Sequence, residues 1–304
     1  MIKDLTDGKP VKVICAFSVP LLLSTALQQL YNIADSVIVG RFTGSDGLAA
    51  IGAAYPITLF FIAVATGASM GCSVTISQLF GAKRIRDMKS AVFTAIISLS
   101  VLGVALALLG VFLSAPLMRL LKAPAGIFDD AAAYLAIYSV GVIPMFIYNG
   151  ANAIYTGLGD SKRPLYFLIM SSVLNVVLDI VAVGPLGLGV KGAAWATTIS
   201  QAVAAAISAI LISRKIADIK TEEKARVFDG SLLREMSGIA LPSIFQQSCV
   251  ALAHTILQSL VNSFDTYVIA GYEAASKLHN FAYMCFNTLG TALSSFVAQC
   301  YGAG

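Results

Sequence analysis

Residues 91–113, AVFTAIISLSVLGVALALLGVFL, run for the length of a bilayer crossing without one ionisable side chain. About 20 apolar residues in an α-helix cover the ~30 Å hydrocarbon core, so the stretch reads as a membrane span. Comparable runs lie at 13–40, 48–80, 131–157, 165–183, 192–213, 239–264 and 274–298. Of 304 residues, 58% are hydrophobic and 12% charged, and the mean hydropathy is +0.83, far from the roughly 25% charge of a soluble domain. Backbone polar groups in lipid must be satisfied within their own segment, so the expected fold is all-α and polytopic, with eight transmembrane helices. The first run follows a charged leader, Met1 to Lys12, and no small-residue cleavage site follows it, so it is expected to stay as a membrane helix.

Charge fixes an orientation. With a cytoplasmic N-terminus the inner segments carry Lys3, Lys9, Lys12, Lys83, Arg84, Arg86, Lys89, Lys162, Arg163, Arg214, Lys215, Lys220, Lys224, Arg226 and Arg234. The outer segments carry only Arg41, Arg119, Lys122 and Lys191, and the last basic residue, Lys277, enters the eighth span. This asymmetry satisfies the positive-inside rule and accounts for the net charge of +4 without a nucleic-acid partner. The expected location is the cytoplasmic (inner) membrane, multi-pass. The five cysteines, Cys15, Cys72, Cys249, Cys285 and Cys300, lack zinc or disulfide spacing and read as small core residues.

A repeat is present. Gln78-Leu79-Phe80-Gly81-Ala82 returns as Gln299-Cys300-Tyr301-Gly302-Ala303, an offset of 221. Pro20 and Pro242 keep nearly the same register, as do the turns at Ala49–Gly52 and Ile269–Tyr272. Six crossings return a chain to its starting side, so the period implies two six-helix bundles duplicated in parallel. The expected organisation is an N-terminal six-helix lobe at 1–214, a cytoplasmic linker at 215–230, and a partial second lobe at 231–304 holding helices seven and eight. Four further spans are expected beyond residue 304.

Most of the sixteen carboxylates fall in loops. Glu273 lies at the mouth of span eight, four residues before Lys277, where an i,i+4 pair is the simple explanation. Asp35 and Asp179 differ. Each precedes by five residues the glycine that ends its span, Gly40 or Gly184, which puts both about 7.5 Å below the outer surface. Each also continues a polar stripe: Gln28, Tyr31, Asn32 and Asp35 at i, i+3, i+4, i+7, and Ser171, Asn175 and Asp179 at i, i+4, i+8. An ionised carboxylate in hydrocarbon costs several kcal/mol, so it must face a cavity, pair with a cation or take up a proton. No Lys or Arg lies in spans one to six to neutralise either one. A proton or sodium carrier needs such a pair.

Asn149, Asn152 and Thr156 on span four, and Thr197, Thr198 and Gln201 on span six, extend this polar interior toward a substrate pathway, although each serves equally well as interhelical glue. Gly67 and Gly71 form a GxxxG expected to let a neighbouring helix approach closely. His254 and His279 have no carboxylate at ligand spacing and read as core or pathway-lining residues. Pro20, Pro56, Pro144 and Pro242 read as kinks or hinges.

Gln28-Gln29-Leu30-Tyr31-Asn32-Ile33-Ala34-Asp35 followed by Val39-Gly40-Arg41-Phe42 resembles the first helix of multidrug and toxic compound extrusion (MATE) transporters. Leu48 to Pro56, Gln78 to Lys83, Gly157-Leu158-Gly159-Asp160-Ser161-Lys162, Asn175 to Asp179 and Gly192-Ala193-Ala194-Trp195-Ala196-Thr197 also resemble motifs of that family, so the resemblance covers essentially the whole chain. For the DinF-like branch it implies an N-terminal cation site falling, by motif position, on Asp35, Asn175, Asp179 and Thr197. Proton or sodium binding there would bend helix one and alternate with drug release. Span seven holds no acidic residue, unlike another branch of the family.

The expected function is therefore a secondary antiporter, not an enzyme, exporting amphipathic organic cations in exchange for H+ or Na+, without a cofactor and as a monomer in membrane lipid. Gln28, Tyr31, Asn32, Asn149, Asn152 and Gln201 are the expected substrate pathway, and Tyr31, Tyr55, Phe60, Tyr148 and Tyr155 would supply cation–π contacts. An intramembrane protease built on Gly157-Leu158-Gly159-Asp160 would need Asp160 beside Asp35, yet Asp160 opens a cytoplasmic turn. A flippase for lipid-linked oligosaccharides is the alternative transporter reading. Its pyrophosphate cargo calls for Arg or Lys in the cavity, and spans one to seven hold none.

Overall fold

The computed structural model describes residues 4–219, 221, 224–261, 264 and 266–304. Among the described residues there are helices and turns but no strands: α1 (Pro10–Gly81), α2 (Ile85–Leu120), a 3-10 turn (Ala125–Ile127), α3 (Phe128–Gly157), α4 (Lys162–Val183), α5 (Gly189–Asp218), α6 (Gly230–Val261) and α7 (Thr266–Ala303). All seven α-helices carry a stretch long and apolar enough to cross a membrane. The eight expected spans thus fall on seven helices, and the difference lies in α1.

At 72 residues α1 would be roughly 108 Å long if straight, more than three times the thickness of a hydrocarbon core. Gly44 breaks it. Its backbone sits at φ 71°, ψ −164°, a region that side chains largely forbid. A Cβ placed on Gly40 would lie 2.8 Å from Leu48 Cδ1, although eight residues of unbroken helix separate Cα atoms by roughly 12 Å. Spans one and two are the two limbs of α1, 10–43 and 45–81, bent at this glycine.

The main core forms where the second limb of α1 meets α2, α3 and α5, around Ile76, Met88, Ala95, Leu99, Leu135, Phe146, Ile154 and Ile212. Large apolar side chains also face outward, among them Val101, Leu108, Leu109 and Phe112 on α2. In water such a surface would be an aggregation hazard, whereas lipid is the solvent that stabilises it. α6 packs on the second limb of α1 at the glycine pair. A Cβ on Gly67 would lie 2.6 Å from the Ile244 backbone, and one on Gly71 would collide with the Met236 carbonyl. The GxxxG therefore does what its spacing suggested. α7 also packs on α1, where Thr25 Oγ1 and Thr288 Oγ1 are 3.2 Å apart.

Helix α5 continues to Asp218, where Lys89 Nζ on α2 donates to the Ile219 carbonyl and satisfies that end. Other expectations need correction. Of the cysteines only Cys72 is buried, while Cys15 and Cys249 are exposed on outward faces, where a weakly polar thiol is tolerated. His254 and His279 are exposed rather than core residues, and His279 stacks on Tyr283 with ring centroids 6.2 Å apart. All four prolines lie inside helices that continue past them. The side chains of Glu273 and Lys277, expected to pair, lie outside the described residues, as do Lys220, Glu222, Glu223 and Asp265.

The end of the linker is strapped across α2 by hydroxyl acceptors. Arg226 N–H donates to Ser90 Oγ at 2.9 Å, and Asp229 N–H donates to Thr94 Oγ1 at 3.0 Å. Asp229 then caps α6, accepting at Oδ1 from the Ser231 hydroxyl at 2.6 Å, the Ser231 N–H at 2.9 Å and the Leu232 N–H at 3.4 Å. The Ser231 hydroxyl is the largest of the influences that hold this carboxyl down at about 2, against its ordinary value of 3.8. A depressed folded value means the cap's stabilisation is present above pH 3.8 and is lost as the pH falls toward 2. Hydrogen exchange at residues 230–234 is expected to rise over that interval, and Asp229→Ala is expected to show the raised exchange already at pH 7. Equal exchange in the variant and the parent at pH 7 would show that the cap does not hold this helix end.

Candidate functional site

Four helices deliver one polar cluster into the apolar interior. The first limb of α1 brings Tyr31 and Asp35, α4 brings Asn175 and Asp179, α5 brings Thr197, and α3 brings Tyr134 and Tyr138. The side chains of Asp35 and Asp179 are close enough to interact directly, so the shared depth read from the two helix ends is a shared site. Asn175 and Asp179 are almost fully enclosed, at 1% and 0% exposure, while Asp35 is half-buried. The i, i+4 spacing on α4 turns the amide and the carboxylate to the same face.

Asn175 orders the arrangement. With its amide nitrogen toward the carboxylate, Nδ2 donates to Asp179 Oδ2 at 2.5 Å and Oδ1 accepts from the Thr197 backbone N–H at 3.1 Å. Thr197 Oγ1 lies 3.3 Å from the same end of the amide and also contacts Tyr31. α4, α5 and the first limb are thereby tied through Asn175 and Thr197. Oδ1 of Asp35 and Oδ1 of Asp179 are both buried and receive no donor from the protein. Two ionised carboxylates this close repel one another, and a proton on one of them or a cation between them would relieve that repulsion. The oxygens available to a cation are those of two carboxylates and neighbouring hydroxyls, a hard set suited to H+ or Na+ and unlike the Cys and His sets of zinc sites.

The tyrosines of α3 are the part that the sequence reading missed. Tyr134 and Tyr138 stack with ring centroids 6.0 Å apart and an interplanar angle of 28°. Tyr134 is within electrostatic reach of Asp35, Asp179 and Tyr31. The available signal was their i, i+4 spacing, which puts two hydroxyl groups on one face of the span.

Other expected residues lie elsewhere. Gln28 and Asn32 are on the same limb of α1 as Asp35 but exposed, with Asn32 Nδ2 donating to Gln29 Oε1 at 3.3 Å. Asn149 is eleven residues beyond Tyr138, roughly 16 Å along α3, and donates into its own helix to the Met145 carbonyl at 2.8 Å. Asn152 sits near Tyr148, one turn farther still. Gln201 is half-buried one turn past Thr197. Tyr155 is not an aromatic of this site. It is at the opposite end of α3, under the Arg163 guanidinium at 5.0 Å and against Phe167 at 5.6 Å. Asp160, whose GxGD setting resembles a protease motif, pairs with Arg163 at 3.5 Å and lies 19 residues from Asp179, roughly 28 Å along α4.

A family model described as MatE matches residues 20–181 and 242–304. Among curated relatives, the probable multidrug resistance protein YoeA of Bacillus subtilis (strain 168) is 30% identical over 94% of this chain and 64% of its own length. The FAD transporter of Shewanella oneidensis is 26% identical over 96% of this chain and 66% of its own length. The chain therefore spans about two thirds of these relatives. Among solved structures, an outward-facing conformation of a multidrug resistance MATE family transporter of the MOP superfamily superposes with a TM-score of 0.89 at 27% identity, over 98% of this chain and 66% of that one.

Removing the Asn175 amide leaves buried Asp179 Oδ2 without its donor. Asn175→Ala is expected to destabilise the purified protein by about 1–3 kcal/mol, read as a lower thermal midpoint in detergent. Asn175→Asp, which adds a third carboxyl group, is expected to lower it further at neutral pH than at pH 5. An unchanged midpoint in both variants would contradict the assigned hydrogen bonds.

Proposed function

The chain belongs to the MatE family, and on that premise we propose that it forms the ion-coupling part of a secondary antiporter that exports amphipathic organic cations in exchange for H+ or Na+. The observation that carries the reading is the contact of Asp35 with Asp179 inside the membrane-spanning helices, with one oxygen of each lacking a protein donor. A group of this kind exchanges its bound cation according to which side of the membrane it faces.

Coupling is competition. From outside, H+ or Na+ bridges Asp35 and Asp179, supported by Asn175 and Thr197, and draws the first limb of α1 toward α4 and α5. Once neutralised, the pair attracts an organic cation less strongly, and the drug leaves. When the site faces the cytoplasm the ion departs, and the uncovered charge together with the rings of Tyr31, Tyr134 and Tyr138 receives the next organic cation. Transport requires the ion to bind one state more tightly than the other, and bending at α1 supplies the difference between states.

In this reading residues 1–214 form one lobe, 215–230 an inner linker and 231–304 the start of a second lobe. The protein acts as a monomer in the cytoplasmic membrane with its N-terminus inside, an orientation that the distribution of Lys and Arg supports. The Shewanella relative makes an anionic dinucleotide the natural competing cargo to test, as does the pyrophosphate of a lipid-linked oligosaccharide. Spans one to seven offer such anions no Lys or Arg, which favours the cationic cargo.

In inverted vesicles, uptake of a cationic dye under an imposed pH or sodium gradient is expected to fall at least about tenfold in Asp35→Asn and in Asp179→Asn at equal protein levels. The gradient that drives wild-type uptake identifies the coupling ion. Uptake insensitive to both gradients, or unchanged in both variants, would sink the coupling assignment.

A further inference from the structure

The two copies of the repeated Gln-x-x-Gly segment meet each other. A Cβ on Gly81 would collide with the Gln299 carbonyl, and a Cβ on Gly302 would collide with the Gln78 carbonyl. Gly81 and Gly302 are thus equivalent partners in one crossing, each admitting the backbone of the other copy. Only a residue without a side chain permits this approach, so the crossing brings the ends of α1 and α7 together more closely than packed side chains would allow.

At that crossing Gln299 is fully buried and uses both ends of its amide. Its Nε2 donates to the Gly157 carbonyl at the end of α3, at 2.9 Å. Its Oε1 accepts from the Leu5 N–H, also at 2.9 Å. The Gly157 carbonyl receives a second bond, from Ser77 Oγ at 3.2 Å. Leu5 lies outside any helix yet is only 1% exposed, seated against Val13 and Phe17 of α1 and Ala292 of α7. One side chain therefore joins the N-terminal segment, α3 and α7, while its own backbone meets α1 at Gly81.

We propose that Gln299 is the bolt of a cytoplasmic gate, holding Leu5 as a plug between α1 and α7 and releasing it when the transporter opens inward. The assignment to the cytoplasmic face rests on the topology of the proposed transporter. The chemistry suits a gate. A neutral amide with one donor and one acceptor satisfies two buried backbone groups without the cost of burying a charge, and both bonds can be exchanged for water when the ends separate. Holding contacts of Leu5 are apolar and confined to few residues, so their rupture does not unfold the bundle.

The gate is tested without a transport assay. In the full chain with its native cysteines replaced by serine or alanine, Thr288→Cys places a near-isosteric thiol on α7, eleven residues or roughly 16 Å beneath Gln299, at a position now 7% exposed. Alkylation of that thiol by a membrane-impermeant maleimide is measured in inside-out vesicles. Gln299→Ala is expected to raise the rate about tenfold, the size of effect that buried hydrogen bonds support. Leu5→Ala, a change outside the helices that leaves the Gln299 amide in place, is expected to raise it similarly. A rate unchanged in either variant, with the protein eluting as a single species, would overturn the proposal. Dye uptake in the parent is followed in parallel: its absence would count against the antiporter, whereas the alkylation rates decide the gate.

Discussion

Two carboxyl groups that touch inside an apolar bundle cannot both be ionised without a partner, and the rest of this molecule is arranged around that constraint. Asp35 and Asp179 come from helices 144 residues apart in sequence. Asn175 fixes Asp179 by bonding it with one end of its amide and the Thr197 backbone with the other. The protein supplies Asp179 with one donor and leaves one buried oxygen on each carboxyl group without a protein donor. A fully satisfied network would be a rigid structural element, and an entirely unsatisfied one would be too costly to fold.

The geometry around the pair follows from helices whose ends are fixed by turns. Gly44 bends α1 a little past Asp35, so the limb carrying the carboxylate is held at one end by a glycine that no other residue replaces without strain. The second limb is clamped against α6 by Gly67 and Gly71, and its far end is crossed by α7 at Gly81. One limb is thus embedded in the core while the other presents Gln28, Asn32 and Asp35 to a less enclosed side. A bend driven by charge neutralisation needs this combination of anchored and freer segments.

Much of this was legible in the sequence. The length of the apolar runs gives the number of crossings, and the spacing from Asp35 to Gly40 and from Asp179 to Gly184 gives a common depth before any coordinates exist. The i, i+4 step from Asn175 to Asp179 gives a shared face. Continuous helix through residues 41–43 and 45–47 was not legible, because a loop and a bent helix share the same glycine. Tyr134 and Tyr138 were passed over because tyrosine is tolerated in a membrane span for its ring alone. Tyr155 was misplaced for the converse reason: its ring serves Arg163 at the other end of α3, a contact set by the turn at Gly157–Ser161 and not by helical periodicity. The repeat register gave the offset of Gln78 and Gln299 but not that the two copies would cross.

The central claim is that one exchangeable cation and the organic cargo compete for the Asp35–Asp179 pair. Calorimetry of a lipophilic dye cation binding to the purified protein, repeated in buffers of different ionisation enthalpy and with or without sodium, counts what is displaced. Competition predicts release of about one H+ or Na+ per dye bound in the wild type and none in Asp35→Asn or Asp179→Asn. Dye binding with no ion released, or with the same release from both variants, would contradict it.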